Sequence, residues 1–103
     1  MASPKPLSPA EAYEAIQKLL ELRDSIGWTA HARRRAKERR FTADDVRRVL
    51  VHGMVGRNPE WDEKSQNWKY KVSGVDYDNE PLVLIVVLEP QLGRITLLTG
   101  EGD

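Results

Sequence analysis

Seven consecutive apolar residues, from Leu82 to Leu88, constrain the fold of this chain more than any other feature. The run is rich in Val, Leu and Ile, and turn-forming segments at 76–81 and 90–93 bound it, as is typical of a strand at a sheet centre. Because the chain has only 103 residues, it can build one domain with one modest core. We predict that this strand lies at the centre of that core.

Alternation of residue types predicts a second strand ahead of the apolar run. Trp68, Tyr70 and Val72 are predicted to share one face, and Lys69 and Lys71 the other. Aromatic residues in a strand usually pack within the sheet.

Two further strands complete the predicted sheet. One covers 94–99, where apolar residues again alternate, and a short one covers 54–57, where Asn58-Pro59 limits its length. The prediction is a curved antiparallel sheet of three to four strands.

Three helices are predicted before the strands, each from a hydroxyl residue that caps its first turn. Ser8, Thr29 and Thr42 precede helix-forming segments, and acids three residues after Ser8 and Thr42 complete capping boxes. The predicted helices cover 9–25, 30–40 and the segment from residue 43 to Gly53. The fold class is therefore α+β with the helices first, as one domain over 8–99, between a flexible 1–7 and a tail at 100–103.

Charge and cysteine content restrict the classes of function. Sixteen Lys and Arg balance sixteen Asp and Glu, and cysteine is absent, which excludes disulfide frameworks and thiolate metal sites. The two histidines lack metal-ligand spacing, so we expect neither metal nor cofactor. No apolar window or leader predicts membrane insertion or secretion, and we expect a cytoplasmic protein without membrane contact.

The segment after Thr29 concentrates positive charge on one helix. Six cations stand against one acid, a local charge of +5 that leaves −5 elsewhere: Arg33, Arg34, Arg35, Lys37, Arg39 and Arg40 against Glu38. Arg is suited to phosphate because its planar fork binds two oxygens at once, so we include Arg34 among the candidate substrate-binding residues. The ordinary interpretation is a solvated helix face.

His31, Arg35 and Arg39 follow one another at four-residue intervals and form one narrow line on that helix, here called the His-Arg stripe. Apolar neighbours place the stripe at the margin of the buried face, where the guanidinium groups need anionic partners. Those partners are either a bound phosphate or acids of the fold, for instance Asp44 or Asp45.

His31 has the ingredients of a general base. It is predicted in the first turn of its helix, where the helix dipole disfavours protonation of an imidazole. A neutral imidazole beside two guanidinium groups is suited to take the proton from a ribose 2′-hydroxyl while the cations hold the phosphate. A packing or capping role is the alternative.

The segment from His31 to Val46 resembles the opening signature of the bacterial domain of unknown function 4258 family. The shared pattern is His-Ala-x-x-Arg-x-x-x-Arg-x-apolar-Ser/Thr-x-x-acid-Val, and the likeness extends over about 28–99. This family is similar to the RelE/ParE toxin superfamily, whose members pack helices on a small antiparallel sheet and often accompany an antitoxin. The resemblance implies His31, Arg35 and Arg39 as catalytic residues, with Tyr70 and Thr99 as weaker candidates.

The chain departs from that superfamily in three places. Its neutral charge makes action on the ribosome a poorer expectation than action on free RNA. Only 25–28 is left for the usual first strand, and the helix at 8–26 is extra; it either covers a sheet edge or forms a homodimer, in which case changes at Leu19 or Leu20 alter oligomeric state. Gly100 and an acidic tail follow Thr99.

Three hypotheses follow. The first is a metal-independent ribonuclease, the toxin of a toxin–antitoxin pair, with RNA and an antitoxin as partners. The second is a non-catalytic module in which the same stripe holds an RNA phosphate, an acidic protein partner or an acid of the fold. Single-stranded RNA could also stack on Trp61 or Trp68 beside Lys69 and Lys71, but packing within the sheet is the favoured role of these aromatic residues. The third is an oligomeric partner built on the extra helix.

Overall fold

The computed structural model describes residues 5–102, which form three α-helices and six β-strands. The helices are α1 (Pro9–Leu20), α2 (Ala30–Arg39) and α3 (Ala43–His52). The strands are β1 (Ile26–Trp28), β2 (Met54–Val55), β3 (Glu60–Asp62), β4 (Asn67–Val75), β5 (Pro81–Glu89) and β6 (Arg94–Glu101), with a 3₁₀ turn at Pro90–Leu92. The predicted α+β class is confirmed for these residues.

The strands form one mixed sheet in the order β1-β6-β5-β4-β2, and β3 also pairs with β4. All pairs are antiparallel except β1 with β6, which run parallel with Trp28 opposite Leu97. The expectation of three to four antiparallel strands was therefore wrong in number and in direction. The two strands not counted in that sheet, β1 and β3, have three residues each, too few for alternation to be read from the sequence. Strand β1 occupies the segment 25–28 that the family resemblance left for a first strand.

The helices cover one face of the sheet and bury the core there. Ile16 of α1 and Leu50 of α3 are fully buried against this face. The strands contribute alternate residues to the same cluster: Val72 of β4, Leu82, Leu84, Val86 and Leu88 of β5, and Ile95 and Leu97 of β6. The predicted central strand is confirmed as the strand that contributes most apolar side chains to this cluster.

The opposite face of β4, β5 and β6 carries no helix and is here called the open face. The register aligns three rows across it: Lys69, Val87 and Thr96; Lys71, Ile85 and Thr99; and Ser73, Val83 and Glu101. A register shift beside Ile85 adds one residue, Leu98, to β6 between the first two rows. The open face thus places lysines on β4 and hydroxyl and acidic residues on β6.

The ends of the domain differ from expectation. Helix α1 stops at Leu20 instead of 25, and Asp24, in a left-handed conformation with φ of 56°, then turns the chain into β1. Strand β6 continues to Glu101, so residues 100 and 101 belong to the sheet and not to a tail. Of the segment expected to be flexible, 1–4 lies outside the described residues, as does residue 103, while the backbone N–H of Leu7 donates to the Tyr70 hydroxyl at 2.8 Å.

Two glycines sit where a side chain would collide with a neighbour. A Cβ on Gly100 would lie 2.6 Å from the ring of Phe41, and one on Gly53 would lie 2.5 Å from the carbonyl oxygen of Val49. Gly100 therefore lets the ring of Phe41, just after α2, seat directly on β6. Gly53 allows α3 to end directly against β4.

Candidate functional site

The first turn of α2 is fixed to the sheet through Thr29. Its hydroxyl accepts the N–H of Ala32 at 3.0 Å, as an N-cap should, and donates to the carbonyl of Leu98 at 3.0 Å. The backbone N–H of Thr29 also donates to the carbonyl of Leu97. These bonds fix the position of β1 and of the start of α2 along strand β6.

The rotation of α2 is set by its small residues and flanking aromatics. Ala32 is fully buried, Ala36 packs at the edge of the core, and the rings of Trp28 and Phe41 stack with centroids 6.0 Å apart. Residues one position before these alanines therefore lie along β6. The predicted position of the His-Arg stripe, at the margin of the buried face, agrees with this arrangement.

His31 lies at the mouth of a cavity of about 360 Å³, here called the hairpin cavity. One wall is the start of α2, and the opposite wall is the turn that joins β3 to β4. Thr96 and Leu98 of β6 contribute to the same cavity, and Asp62, Lys64 and Ser65 line its hairpin side. His31 itself is exposed.

Asp62 is held in place by Ser65, which lines the same cavity. Its Oδ2 accepts the hydroxyl of Ser65 at 2.6 Å and the backbone N–H of Ser65 at 3.0 Å. The Ser65 hydroxyl lowers the pKa of Asp62, partial burial opposes this, and the Ser65 N–H and the charges of Lys69 and Lys64 lower it further. The carboxylate is therefore ionised at neutral pH.

Asp62 and Ser65 were not identified from the sequence. Their spacing is that of an ordinary side-chain-capped turn, which carries no functional signal alone. Their position opposite His31 depends on how the β3–β4 hairpin curls over the open face.

Arg35 occupies the centre of the stripe and is largely buried, with 19% of its side chain exposed. Its guanidinium pairs with Glu38 at 3.5 Å and with Glu101 at 3.4 Å. Acidic partners within the fold were one of the two alternatives for Arg35, but the acids suggested for this role, Asp44 and Asp45, are not among them. They lie in the first turn of α3, which begins after the chain has turned away from the stripe.

Asp45 serves the fold instead. It accepts bonds from the backbone N–H and hydroxyl of Thr42 at 2.9 and 3.0 Å and from the N–H of Tyr77 at 3.0 Å. Burial acts to raise the pKa of Asp45, but these bonds, with the charge of Arg48, outweigh it and hold the pKa below its ordinary value.

Two buried polar atoms beside the stripe have no hydrogen-bond partner within residues 5–102. They are Nε of Arg35 and Oγ1 of Thr99. Thr99 and Glu101 project from the same side of β6, and Glu101 reaches Arg35. Thr99, a predicted substrate contact, is therefore placed next to the stripe.

Arg39, at the far end of the stripe, is exposed and lines a cleft of about 420 Å³. Arg40 forms the same wall, and Asp78 and Glu80 of the β4–β5 turn form the other. The stripe thus joins the hairpin cavity at His31 to this charged cleft at Arg39.

The remaining predicted contacts are divided between the two faces. Lys69 and Lys71 lie on the open face, two strands from β6, or about 10 Å across the sheet. Tyr70 points into the core with 4% exposure, and its pKa is raised mainly by burial, so it is not brought together with the stripe. Arg34 is exposed on α2.

No group of three His, Asp or Glu side chains that could hold a metal ion occurs within the described residues. None of the helices described is long and apolar enough to cross a bilayer. The candidate site consists of a histidine, two arginines and the walls of the hairpin cavity.

Comparison with known proteins gave one result. The family model described as "Domain of unknown function (DUF4258)" matches residues 28–99, which include the stripe, the hairpin cavity and every strand except parts of β1 and β6. Neither the curated proteins nor the solved structures gave a match.

Proposed function

The chain belongs to the domain of unknown function 4258 family, and from this premise we propose that it is a small metal-independent ribonuclease. We further propose that it is the toxin of a bacterial toxin–antitoxin pair, acts in the cytoplasm and binds an antitoxin protein. The arrangement of three helices on one sheet face, with no helix on the other, is similar to the expectation for a RelE/ParE-like fold. Fold alone does not fix function, so the proposal depends on the site.

The observation that carries the proposal is the His-Arg stripe at the margin of the open face. His31 and Arg35 are one helical turn apart, about 6 Å along the axis, and Arg39 is one turn further. An RNA strand on the open face meets all three from one side and the lysines of β4 from the other. Positive groups on two sides of one surface are suited to hold a phosphate backbone.

The proposed reaction is attack by a ribose 2′-hydroxyl on the adjacent phosphate. His31 takes the 2′-hydroxyl proton, O2′ forms a bond to phosphorus, and the bond from phosphorus to the 5′ oxygen breaks. The leaving oxygen takes a proton from water, which gives a 2′,3′-cyclic phosphate and a 5′-hydroxyl end. Arg35 and Arg39 stabilise the charge that develops on the phosphate oxygens.

The ion pair with Glu101 favours a second candidate function, a module that binds RNA or an acidic protein without cleaving it. Because Glu101 already occupies Arg35, the guanidinium can serve as an exchangeable anion site instead of a catalytic group. The same surface is used in both cases. The two candidates differ in whether His31 transfers a proton.

The test is cleavage of a mixed RNA pool in the presence of EDTA by the wild type and two histidine variants. His31→Ala is expected to lower the rate about 100- to 10,000-fold, the usual contribution of a general base. His52→Ala is the matched control, since His52 is also exposed and lies at the end of α3. Both variants should melt at the wild-type temperature.

Equal rates for the wild type and His31→Ala would contradict the proposed mechanism. If no protein cuts free RNA, the assay is repeated with ribosomes. RNA binding without turnover in both assays would establish the binding module.

A further inference from the structure

We infer that the hairpin cavity binds a guanine base of the RNA, and that Asp62 selects it. The inference rests on the proposed function, because it assigns the base next to the phosphate that His31 and Arg35 contact. It adds a specificity-determining residue from the β3–β4 hairpin, a part of the chain outside the His-Arg stripe.

The hairpin cavity has a size and position that suit a single nucleotide base. Its volume of about 360 Å³ is at the lower end of the range for small-molecule sites, which suits a single base better than a larger ligand. His31 lines its mouth, and Arg35 follows one turn along α2. A nucleotide whose base enters the cavity therefore leaves its sugar and phosphate beside the stripe.

The hydrogen bonds of Asp62 leave one of its carboxylate oxygens for a ligand. Both bonds from Ser65 go to Oδ2, and within residues 5–102 no donor reaches Oδ1. A carboxylate oxygen has two lone pairs, and the lowered pKa keeps Asp62 an acceptor at neutral pH. Ser65 thus fixes the orientation of the carboxylate and leaves one oxygen for a ligand.

The four standard bases differ in the donors and acceptors on their Watson–Crick edges. Guanine is the one standard base that presents two adjacent N–H donors, N1–H and the N2 amino group, on its Watson–Crick edge. Adenine and cytosine place a ring acceptor beside their amino group, and uracil flanks its single N–H with two carbonyls. An ionised acceptor such as Asp62 therefore attracts guanine and repels the ring acceptors of adenine and cytosine.

The cavity walls suit a flat ring that carries a phosphate at its edge. Leu98 and Thr96 of β6 offer apolar contact, and Lys64 stands on the hairpin side with its charge available to a phosphate. Val87, in the same row as Thr96, is almost completely buried on a face that has no helix. This part of the open face is therefore already shielded from water.

The experiment measures binding of the four nucleoside 3′-monophosphates to the full chain by calorimetry and by NMR titration. The wild type is expected to bind guanosine 3′-monophosphate about tenfold more tightly than the other three, the usual size of discrimination by a paired base contact. Asp62→Asn should remove this preference while weak phosphate binding persists. Asp44→Asn, which removes the same charge from the first turn of α3, should keep it.

Ser65→Ala supplies a second variant in case the hairpin of Asp62→Asn is disturbed. It removes the hydroxyl that orients the carboxylate and should reduce the preference for guanine severalfold. Equal affinities for all four nucleotides, or an unchanged preference in Asp62→Asn, would overturn the inference.

Failure of this inference is distinguishable from failure of the proposed ribonuclease. Selective guanine binding without RNA cleavage keeps the cavity assignment and removes the enzyme. Cleavage with no preference for guanine, together with equal nucleotide affinities, keeps the enzyme and removes the assignment. Guanosine 5′-triphosphate that binds more tightly than a guanine-containing oligonucleotide would identify a free nucleotide as the occupant and overturn the RNA assignment.

Discussion

The two faces of the sheet place opposite demands on neighbouring residues of the same strands. Val72 and Leu84, paired across β4 and β5 under the helices, are buried in the core. One residue away, Lys71 and Ile85 form a pair on the open face, with Thr99 beside them. Since one step along a strand changes the face, the sheet keeps stability and binding apart by register alone.

The two faces should differ most in the loss of stability caused by alanine at Leu84 and at Ile85. Leu84→Ala is expected to cost about 2–5 kcal/mol, because it removes a fully buried side chain and leaves a cavity beneath α1 and α3. Ile85→Ala should cost about 1 kcal/mol, since the open face can readmit water there. Urea denaturation of both variants measures the difference, and equal losses would show that both faces contribute one core.

A second prediction concerns Asp45 on the helix-covered side. Asp45→Asn should lower the free energy of unfolding by about 1 kcal/mol at neutral pH, because it weakens both the cap of α3 and the bond from Tyr77. The neighbouring exposed acid provides the control, Asp44→Asn.

This loss should depend on pH. The pKa of Asp45 is lower in the folded state than its ordinary value of 3.8, so the carboxylate stabilises the fold above that value. The contribution then falls as the pH drops from 3.8 through the lower folded-state pKa. Chemical denaturation between pH 7 and pH 2 should therefore show the wild type and Asp45→Asn converging in acid, and a constant gap would contradict this account.

The smallest expected effect is on RNA affinity and concerns Glu101 on the open face. Glu101→Gln removes the acid that holds Arg35 and should raise RNA affinity about two- to fivefold, in line with a partly exposed ion pair. Its effect on stability should be small. Glu21→Gln, at the end of α1, removes the same charge elsewhere and should leave RNA affinity unchanged; equal affinities for both variants would show that Glu101 does not compete with phosphate.

The helix-covered face was largely predictable from the sequence because its signals are local and repeated. Capping boxes at Ser8 and Thr42 mark two helix starts, and both are present in the structure. The apolar run of β5 needs a buried position in any fold. Strands β1 and β3 were less accessible, since each is short and is defined by its partner more than by its own residues.

The candidate site was predictable only in part for a similar reason. The spacing of His31, Arg35 and Arg39 follows from helix geometry, so their common line could be read directly. The partners of Arg35 could not, because Glu101 is brought to it by the pairing of β6 over a separation of 66 residues. Asp62 could not be predicted either, because its position opposite His31 depends on how the β3–β4 hairpin curls over the open face.

The attachment of Thr29 to β6 has a consequence for the order of folding. The bond from its hydroxyl to Leu98 spans 69 residues of sequence, and contacts of such long range form late because a large loop must close first. Helix α2 has ten residues, too few for a stable helix on its own in water, so His31 reaches its final position only when β6 is in place. For the proposed nuclease, a partly folded chain is inactive, and activity appears only when β6 has paired within the sheet.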